Sequence, residues 1–288
     1  MRMCFYMFWI RDTEVLAGGK KFESLGENGL SIDFDINFSD GKEPDVSEVT
    51  IYNLSDDSIN QIKKDGYCLV NAGYKSLGNK GNILSGDIEE VTTTWQGLDK
   101  LTKIKVTDGG KKWRKAKISK TYKEGTKASL IMRDVINVMG YEIVEIKPKK
   151  DKVYKLGKTI NGFCSDILKM LVKDTESKMF VNKNRITIRD QEKGFETGFV
   201  LSPDSGLVRS PTLNRDDTGD KAGGVGSDKD KKENKKEKKT WNVRSLLNPK
   251  IETDSLIMIK SKVLDGKFRV IKGKHTKDFE TVITVEEA

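Results

Sequence analysis

Histidine is almost missing from this chain: His275 is the only one in 288 residues. A Ser–His or Cys–His nucleophile would have to be built on it. His275 falls in the charged run Gly273-Lys274-His275-Thr276, which reads as a turn between strands, and no Gly-x-Ser-x-Gly elbow stands elsewhere. Cysteine is scarce as well. Cys4, Cys68 and Cys164 are odd in number and far apart, with no Cys-x-x-Cys pair and no Cys/His cluster. That argues against a disulfide framework and against a zinc site. Cys68 and Cys164 sit in apolar runs and read as core residues. Walker and Gly-x-Gly-x-x-Gly patterns are missing too. Nothing approaches the ~20 apolar residues of a membrane-spanning helix. The most apolar run, Met3 to Ile10, is dense in aromatics and reads as a strand; Asp12 and Glu14 follow too closely for a signal peptide. The expectation is a chain made in the cytoplasm, with no catalytic, cofactor-binding or metal-binding residue and no cofactor.

Charge and strand patterning are what the chain has instead. It carries 53 Lys and Arg against 44 Asp and Glu, a net charge of +9. Its length leaves room for two or three domains and a sizeable core. The densest charge lies in residues 215–240, where lysines alternate with Asp228, Asp230, Glu233 and Glu237. The acids weaken a counterion-release argument for nucleic-acid binding, and no aromatic residue is interleaved for base stacking before Trp241. So few apolar residues cannot offset the ordering entropy, and the stretch reads as a mobile hairpin loop.

The chain is organised around residues 47–108. Val49 to Tyr52 has strand composition, and Asn53 to Asp57 is a cluster of turn and N-cap residues. Ile59 and Ile62 fit one short helical turn. Tyr67 to Tyr74, Ile83 to Ile88, Val91 to Trp95 and Leu101 to Val106 follow as strands. Just upstream, Leu30, Ile32, Phe34, Ile36 and Phe38 alternate with Ser31, Asp33, Asp35 and Asn37. Such a strand puts one face on a core and one in water. Asp33 and Asp35 form a carboxylate pair two residues apart, which solvation on the wet face explains. Asp87, Glu89 and Glu90 resemble a glycosidase pair only in being acidic; strand-end charge explains them equally well.

The pattern changes after Gly110. Trp113 to Ser119 reads as a strand, and residues 130–139 as a helix capped by Thr126 or Ser129 and ended by Gly140. A strand at Tyr141 to Ile146 follows. A second helix is expected over Ile160 to Leu171, then a hairpin of Met179 to Val181 and Arg185 to Ile188 turned by Asn182-Lys183-Asn184. This is an α+β module. Strand chemistry resumes at Phe199 to Pro203 and continues in Trp241 to Pro249, Ser255 to Ile259, Gly266 to Val270 and Thr281 to Val285.

Three pieces of this chain in order, Glu48 to Tyr74 (EVTIYNLSDDSINQIKKDGYCLVNAGY), Ile83 to Val91 (ILSGDIEEV) and Lys103 to Gly110 (KIKVTDGG), resemble the first barrel of tail hub proteins in tailed phages and phage-like particles. Val243 to Ile251, Ser255 to Ser261, Asp265 to Asp278 and Glu280 to Glu286 resemble that family's closing barrel strands. The resemblance implies a mainly β chain with an α+β insert: a tail-tube-type antiparallel β-barrel over 1–110, the insert over 111–196, and a second barrel over 197–288. It implies a non-enzymatic baseplate hub that trimerises into a pseudo-hexameric ring and joins a hexameric tail tube to a trimeric central spike. Partners would be its own copies, the tube protein, the spike protein, other baseplate proteins and the tape measure protein. DNA would pass through the channel only in transit, repelled weakly by Asp33 and Asp35, and the chain would not insert into a membrane. Its place would be the tail baseplate of a virion or phage-like particle. The other class is a peptidoglycan-degrading or peptidoglycan-binding tail accessory, for which no Glu/Asp cleft pair, zinc constellation or glycan-binding repeat is found.

Overall fold

A computed structural model describes residues 10–41, 43–108, 110–190, 194–214 and 239–288. The strand expected at residues 5–10 lies outside them except for Ile10. Residues 215–238 of the expected loop also lie outside, and its last residue, Thr240, already belongs to a strand.

The first described strand is β1 (Arg11–Ala17), a stretch whose charged residues mask its alternation. Thr13, Val15 and Ala17 point inward, while Asp12 and Glu14 do not. A two-glycine turn leads to β2 (Lys20–Glu23). Gly18 has φ +61°, and a Cβ there would fall 2.6 Å from the Gln61 carbonyl oxygen, so glycine is required. Next come β3 (Ile32–Ser39), β4 (Val46–Tyr52), helix α1 (Asp56–Gln61) and β5 (Tyr67–Tyr74). Ser55 caps α1 by accepting from the Ser58 N–H at 3.3 Å. The unit ends in a long hairpin, β6 (Gly81–Gln96) and β7 (Asp99–Thr107). Its far half projects into solvent, with Trp95 and Leu98 exposed at the tip.

The middle module opens with α2 (Gly110–Lys115) and β8 (Lys117–Tyr122). Trp113 is therefore helical rather than the start of a strand: one turn swings its ring into the module's core, and its Nε1 donates to Glu43 at 3.0 Å. After β9 (Thr126–Lys127) comes α3 (Ala128–Met139). Its cap position is Lys127, not Thr126 or Ser129. Asp151 arrives from a later loop to accept from the Ser129 N–H and hydroxyl, at 3.0 and 2.8 Å. Next are β10 (Glu142–Lys147), β11 (Val153–Tyr154) and β12 (Lys158–Phe163). Helix α4 (Cys164–Asp174) begins later than the apolar spacing implies, because Ile160 is held in β12 paired with β8. The hairpin β13 (Lys178–Asn182) and β14 (Arg185–Arg189) closes the module. In the sheet β10-β14-β13 one face packs on α3 and α4 around Ile143, Met179, Val181, Ile186 and Ile188.

The last unit holds β15 (Phe195–Leu201), β16 (Thr212–Asn214), β17 (Thr240–Leu246), β18 (Ser255–Lys260), β19 (Asp265–Thr276) and β20 (Glu280–Glu287). The two outer units are parts of one thirteen-stranded sheet. Its order is β16-β17-β20-β19-β3-β4-β7-β6-β5-β1-β2, with β18 on β19 and β15 on β18. Strand β19 makes the join. A register shift between Val270 and Lys272 divides it; Leu256 to Lys260 pair with its first half, Asp35 to Ser39 with its second. A bulge bends a strand and increases its twist, so one strand can serve two curved sheets.

The cores follow the same logic. Ile32, Phe34 and Ile36 of β3 are buried in the first unit's core, as their alternation requires, but Phe38 belongs to the last unit's core. In return, Leu247 and Phe279 reach from the last unit into the first core. A separate apolar cluster fills the middle module.

Candidate functional site

The three parts meet at the turn of the β13–β14 hairpin. Lys183 and Asn184 have φ +52° and +58°, the two-residue hairpin geometry that asparagine favours. This leaves their N–H groups pointing out of the turn. The carboxylate of Asp108, just past β7, accepts both, at 2.5 and 2.8 Å. The Lys183 ammonium donates to the Asn82 carbonyl oxygen in β6 at 2.6 Å and to Glu252 in the last unit at 2.5 Å. Glu252 is also 3.2 Å from Arg185. One hairpin tip thus touches both outer units. Burial pushes the Asp108 carboxyl up to about 6 against the pull of its two N–H donors, and burial lowers the Lys183 ammonium below its ordinary value.

Deeper in, Arg189 pairs with Asp254, Asp254 lies 3.4 Å from Arg269, and Arg269 pairs with Glu286. All four side chains are buried. Burial raises the Asp254 carboxyl although both guanidinium groups pull it the other way. The loop between β3 and β4 supplies a second seam to the middle module, where Asp40 pairs with Lys178 and Glu43 with Lys169. The lysine's hydrogen bond holds Glu43 below the usual carboxylate range. None of these residues is conspicuous in sequence. The one signal is a charge set within apolar strand text, as Arg269 stands between Phe268 and Val270.

Between the β10-β14-β13 sheet and the last unit lies a cleft of about 1030 Å³. Phe180, Arg185 and Arg189 line one wall, Phe195 and Thr197 the other, and Asn82 and Pro249 the floor.

The residues weighed from sequence are scattered. His275 is in β19, not in a turn, and is wholly buried beside Phe38. Its Nδ1 is 3.0 Å from the Thr281 hydroxyl, and burial depresses its pKa to about 3, so it is neutral. Asp33 accepts from the Tyr52 hydroxyl at 3.1 Å and is 3.6 Å from Lys277; Asp35 is 3.2 Å from Lys274. That face is therefore charge-balanced rather than a bare acidic stripe, which removes the expected repulsion of phosphate. Asp87 accepts from the Lys111 N–H, Glu89 pairs with Arg114 and Glu90 with Lys105. Those carboxylates face three different donors and make no paired acid site. Burial pushes the Cys68 thiol up to about 12. Among the described residues, no group of three His, Cys, Asp or Glu side chains is placed to hold a metal ion, and no helix is long and apolar enough to cross a membrane.

No family model and no curated protein matches the chain. Solved structures do. The 43 kDa tail protein of prophage MuSo2 from Shewanella oneidensis superposes with a TM-score of 0.67 at 11% identity, covering 96% of this chain and 98% of that one. A tail protein from Neisseria meningitidis MC58 gives 0.63 at 9% identity, covering 97% of each chain. An Escherichia coli component of the type VI secretion system, described as similar to bacteriophage T4 tail proteins gp27 and gp5, gives 0.56 at 9% identity over 90% of this chain and 74% of that one. The resemblance read from Glu48 to Gly110 and from Val243 to Glu286 is matched by a likeness of fold to tail proteins over nearly the whole chain. This mainly β chain, with its helical middle module, has the fold of phage tail proteins.

Proposed function

We propose that the chain is a structural, non-enzymatic hub of a tail baseplate. The observation that carries this reading is the end-to-end likeness to two tail proteins, covering nearly all of both chains. In this reading residues 1–110 and 197–288 are two tube-like domains and residues 111–196 an insert. Three chains bring six such domains into one ring, so a threefold object presents a near-sixfold face to a tail tube and its threefold face to a spike. Edge strands and the exposed β6–β7 tip meet neighbouring chains, which covers edges that would otherwise invite aggregation. The charge-balanced outer face of β3 lines the channel and lets DNA pass without holding it.

Reconstruction of the intact particle by electron microscopy tests the proposal. Three copies at the junction of tube and spike are expected. Six copies per ring, a location elsewhere, or cell-wall hydrolysis by the purified chain would overturn it.

A further inference from the structure

Charge is shared unevenly along the chain. Residues 111–190 hold 21 Lys and Arg against nine Asp and Glu, a surplus larger than the whole chain's +9. Part of it is absorbed at the seams, where Lys169 and Lys178 pair with acids of the first unit and Lys183 with Glu252. Part is matched inside the module, where Lys120 pairs with Asp134 and Lys152 with Asp174. Lys123, Lys127, Lys155 and Lys158 have no carboxylate at ion-pair distance among the described residues.

These four lysines come together. Thr126–Lys127 pairs with Val153–Tyr154, which places Lys127 opposite Val153. The N–H groups of Gly125 and Gly157 both donate to the Tyr154 carbonyl oxygen, at 3.0 and 3.1 Å. The second of these bonds closes a tight turn with Lys155 and Leu156 at its tip. Gly157 has φ +75°, and a Cβ there would fall 2.6 Å from the Tyr122 carbonyl oxygen, so the turn lies against the segment that carries Lys123. Lys158 opens β12 opposite Tyr122. Segments 122–130 and 151–158 thus form a knob held by main-chain bonds. Their two acids are Glu124 and Asp151, and Asp151 is already engaged by Ser129.

Apolar side chains stand among the lysines. Leu156 is wholly exposed, and Leu130 and Val153 are 54% and 45% accessible. Single exposed apolar residues are ordinary on a protein surface. Three on one knob beside four unpaired cations are a patch with two chemistries. The β6–β7 tip is the contrast. Leu98 is as exposed there, but Lys100 pairs with Asp56, Lys103 with Glu48 and Lys105 with Glu90.

We propose that the knob is a peripheral contact for an anionic lipid surface. Leu156, Val153 and Leu130 enter the headgroup layer while the four lysines meet acidic headgroups, and nothing spans the bilayer. A nucleic acid fits less well. Leucine and valine gain nothing from its phosphates, and the nearest rings, Tyr122 and Tyr154, have Lys120 and Lys158 over them in place of a base. An acidic protein would need a pocket cut to a protruding leucine, whereas fluid headgroups close around a convex tip.

Co-sedimentation of the full-length chain with phosphatidylcholine vesicles, with and without phosphatidylglycerol, tests the proposal at low salt. Retention on the anionic vesicles and little on the neutral ones is expected. Lys123→Gln and Lys155→Gln should each weaken partitioning about fivefold, and Leu156→Ser by a similar factor. All three side chains are exposed, so these variants should keep the parent's melting temperature. In a Leu156→Trp variant, the emission added to the parent's should move to the blue on anionic vesicles, which charge attraction alone would not produce. The proposal is overturned by no retention, by equal retention on both vesicles, by retention that the lysine variants or Leu156→Ser leave unchanged, or by added emission that does not move. It is equally overturned if duplex DNA at the same phosphate concentration binds more tightly with the same lysine dependence, since a nucleic acid would then own the patch. None of these results bears on copy number or position in the particle, so the hub reading stands or falls separately.

Discussion

The hydroxyl of Tyr74 donates to the main-chain carbonyl oxygen of Phe279, 2.8 Å away and 205 residues later in the chain. Tyr74 ends β5 in the first unit; Phe279 holds φ +59° in the turn between β19 and β20. Their rings meet edge to face with centroids 5.7 Å apart, and Phe34 meets the same ring at 5.5 Å. A side chain from the last unit thereby becomes part of the first unit's core. Tyr74→Phe removes this donor while the Phe279 carbonyl keeps the Leu247 N–H, and should cost about 0.5–1.5 kcal/mol in urea denaturation. Its unfolding should still register as a single transition by fluorescence and by circular dichroism.

Phe34→Ala in β3 should destabilise the chain by about 3–5 kcal/mol, since its ring is 3% exposed among core neighbours. Asp35→Asn, one residue on and facing water opposite Lys274, should cost under about 0.5 kcal/mol. Chemical denaturation of both variants checks the register; the reverse ranking would mean that β3 is turned over.

Lys183→Met strikes the hairpin tip that joins the three parts. The variant keeps the aliphatic stem but removes the donor to Asn82 and Glu252. Glu252 keeps Arg185 and is partly solvated, so the loss should be about 2–3 kcal/mol. Calorimetry should show the single endotherm splitting as the middle module melts apart from the rest.

Two buried groups set opposing pH dependences. His275 has a folded pKa of about 3, below its ordinary 6.5, so its contribution is intact above pH 6.5 and drains away as pH falls toward 3. Asp108 has a folded pKa of about 6, above its ordinary 3.8, so its contribution is intact below 3.8 and is lost as pH rises through 6. Between about pH 4 and pH 6 the unfolded chain holds one extra proton on the histidine and the folded chain one on Asp108, and these two slopes cancel. Asp108→Asn removes one of them. The variant should lose stability on acidification from pH 6 to 4 more steeply than the parent, by up to about 1.4 kcal/mol per pH unit. Denaturant midpoints across that range check the difference.

Trp95 is exposed near the tip of the β6–β7 hairpin, where the Lys100 ammonium lies 5.8 Å from its ring centroid. Trp95→Ala should leave the melting temperature of the isolated chain within a degree or two. If the chain assembles as proposed above, it should also lower the yield of assembled particles in co-expression, because exposed aromatic residues are enriched at interfaces between chains.

Patterning carried most of the β architecture. The alternation of Leu30 to Phe38, the turn chemistry of Asn53 to Asp57 and the hairpin at Asn182 to Asn184 are local signals, and local signals survive folding. Strand β1 was hidden because Asp12 and Glu14 occupy its wet face and Arg11 opens its inward one, over the Phe279 ring. Trp113 and Ile160 went to the wrong elements because their placement depends on partners far along the chain, Glu43 for one and β8 for the other. The buried ions Asp108, Lys183, Arg189 and Asp254 could not be read at all. An isolated charge looks solvated until the fold brings its counterpart alongside. The cleft was invisible for the same reason, being lined by segments from all three parts.

Strand β3 pairs with β19 across a gap in sequence that places Asp35 and Lys274 239 residues apart. During synthesis this edge of β3 emerges early and waits for almost the last strand of the chain. Pairing so distant in sequence should make the joining of the two outer units slower than the formation of the middle module, whose contacts are between nearer neighbours. In the interval Phe38 lacks the apolar cluster it joins in the finished fold, whose other members all come from the last unit. Truncated or stalled chains should therefore be captured by chaperones through the first unit, and expression in two pieces should succeed only when the C-terminal piece is supplied at the same time.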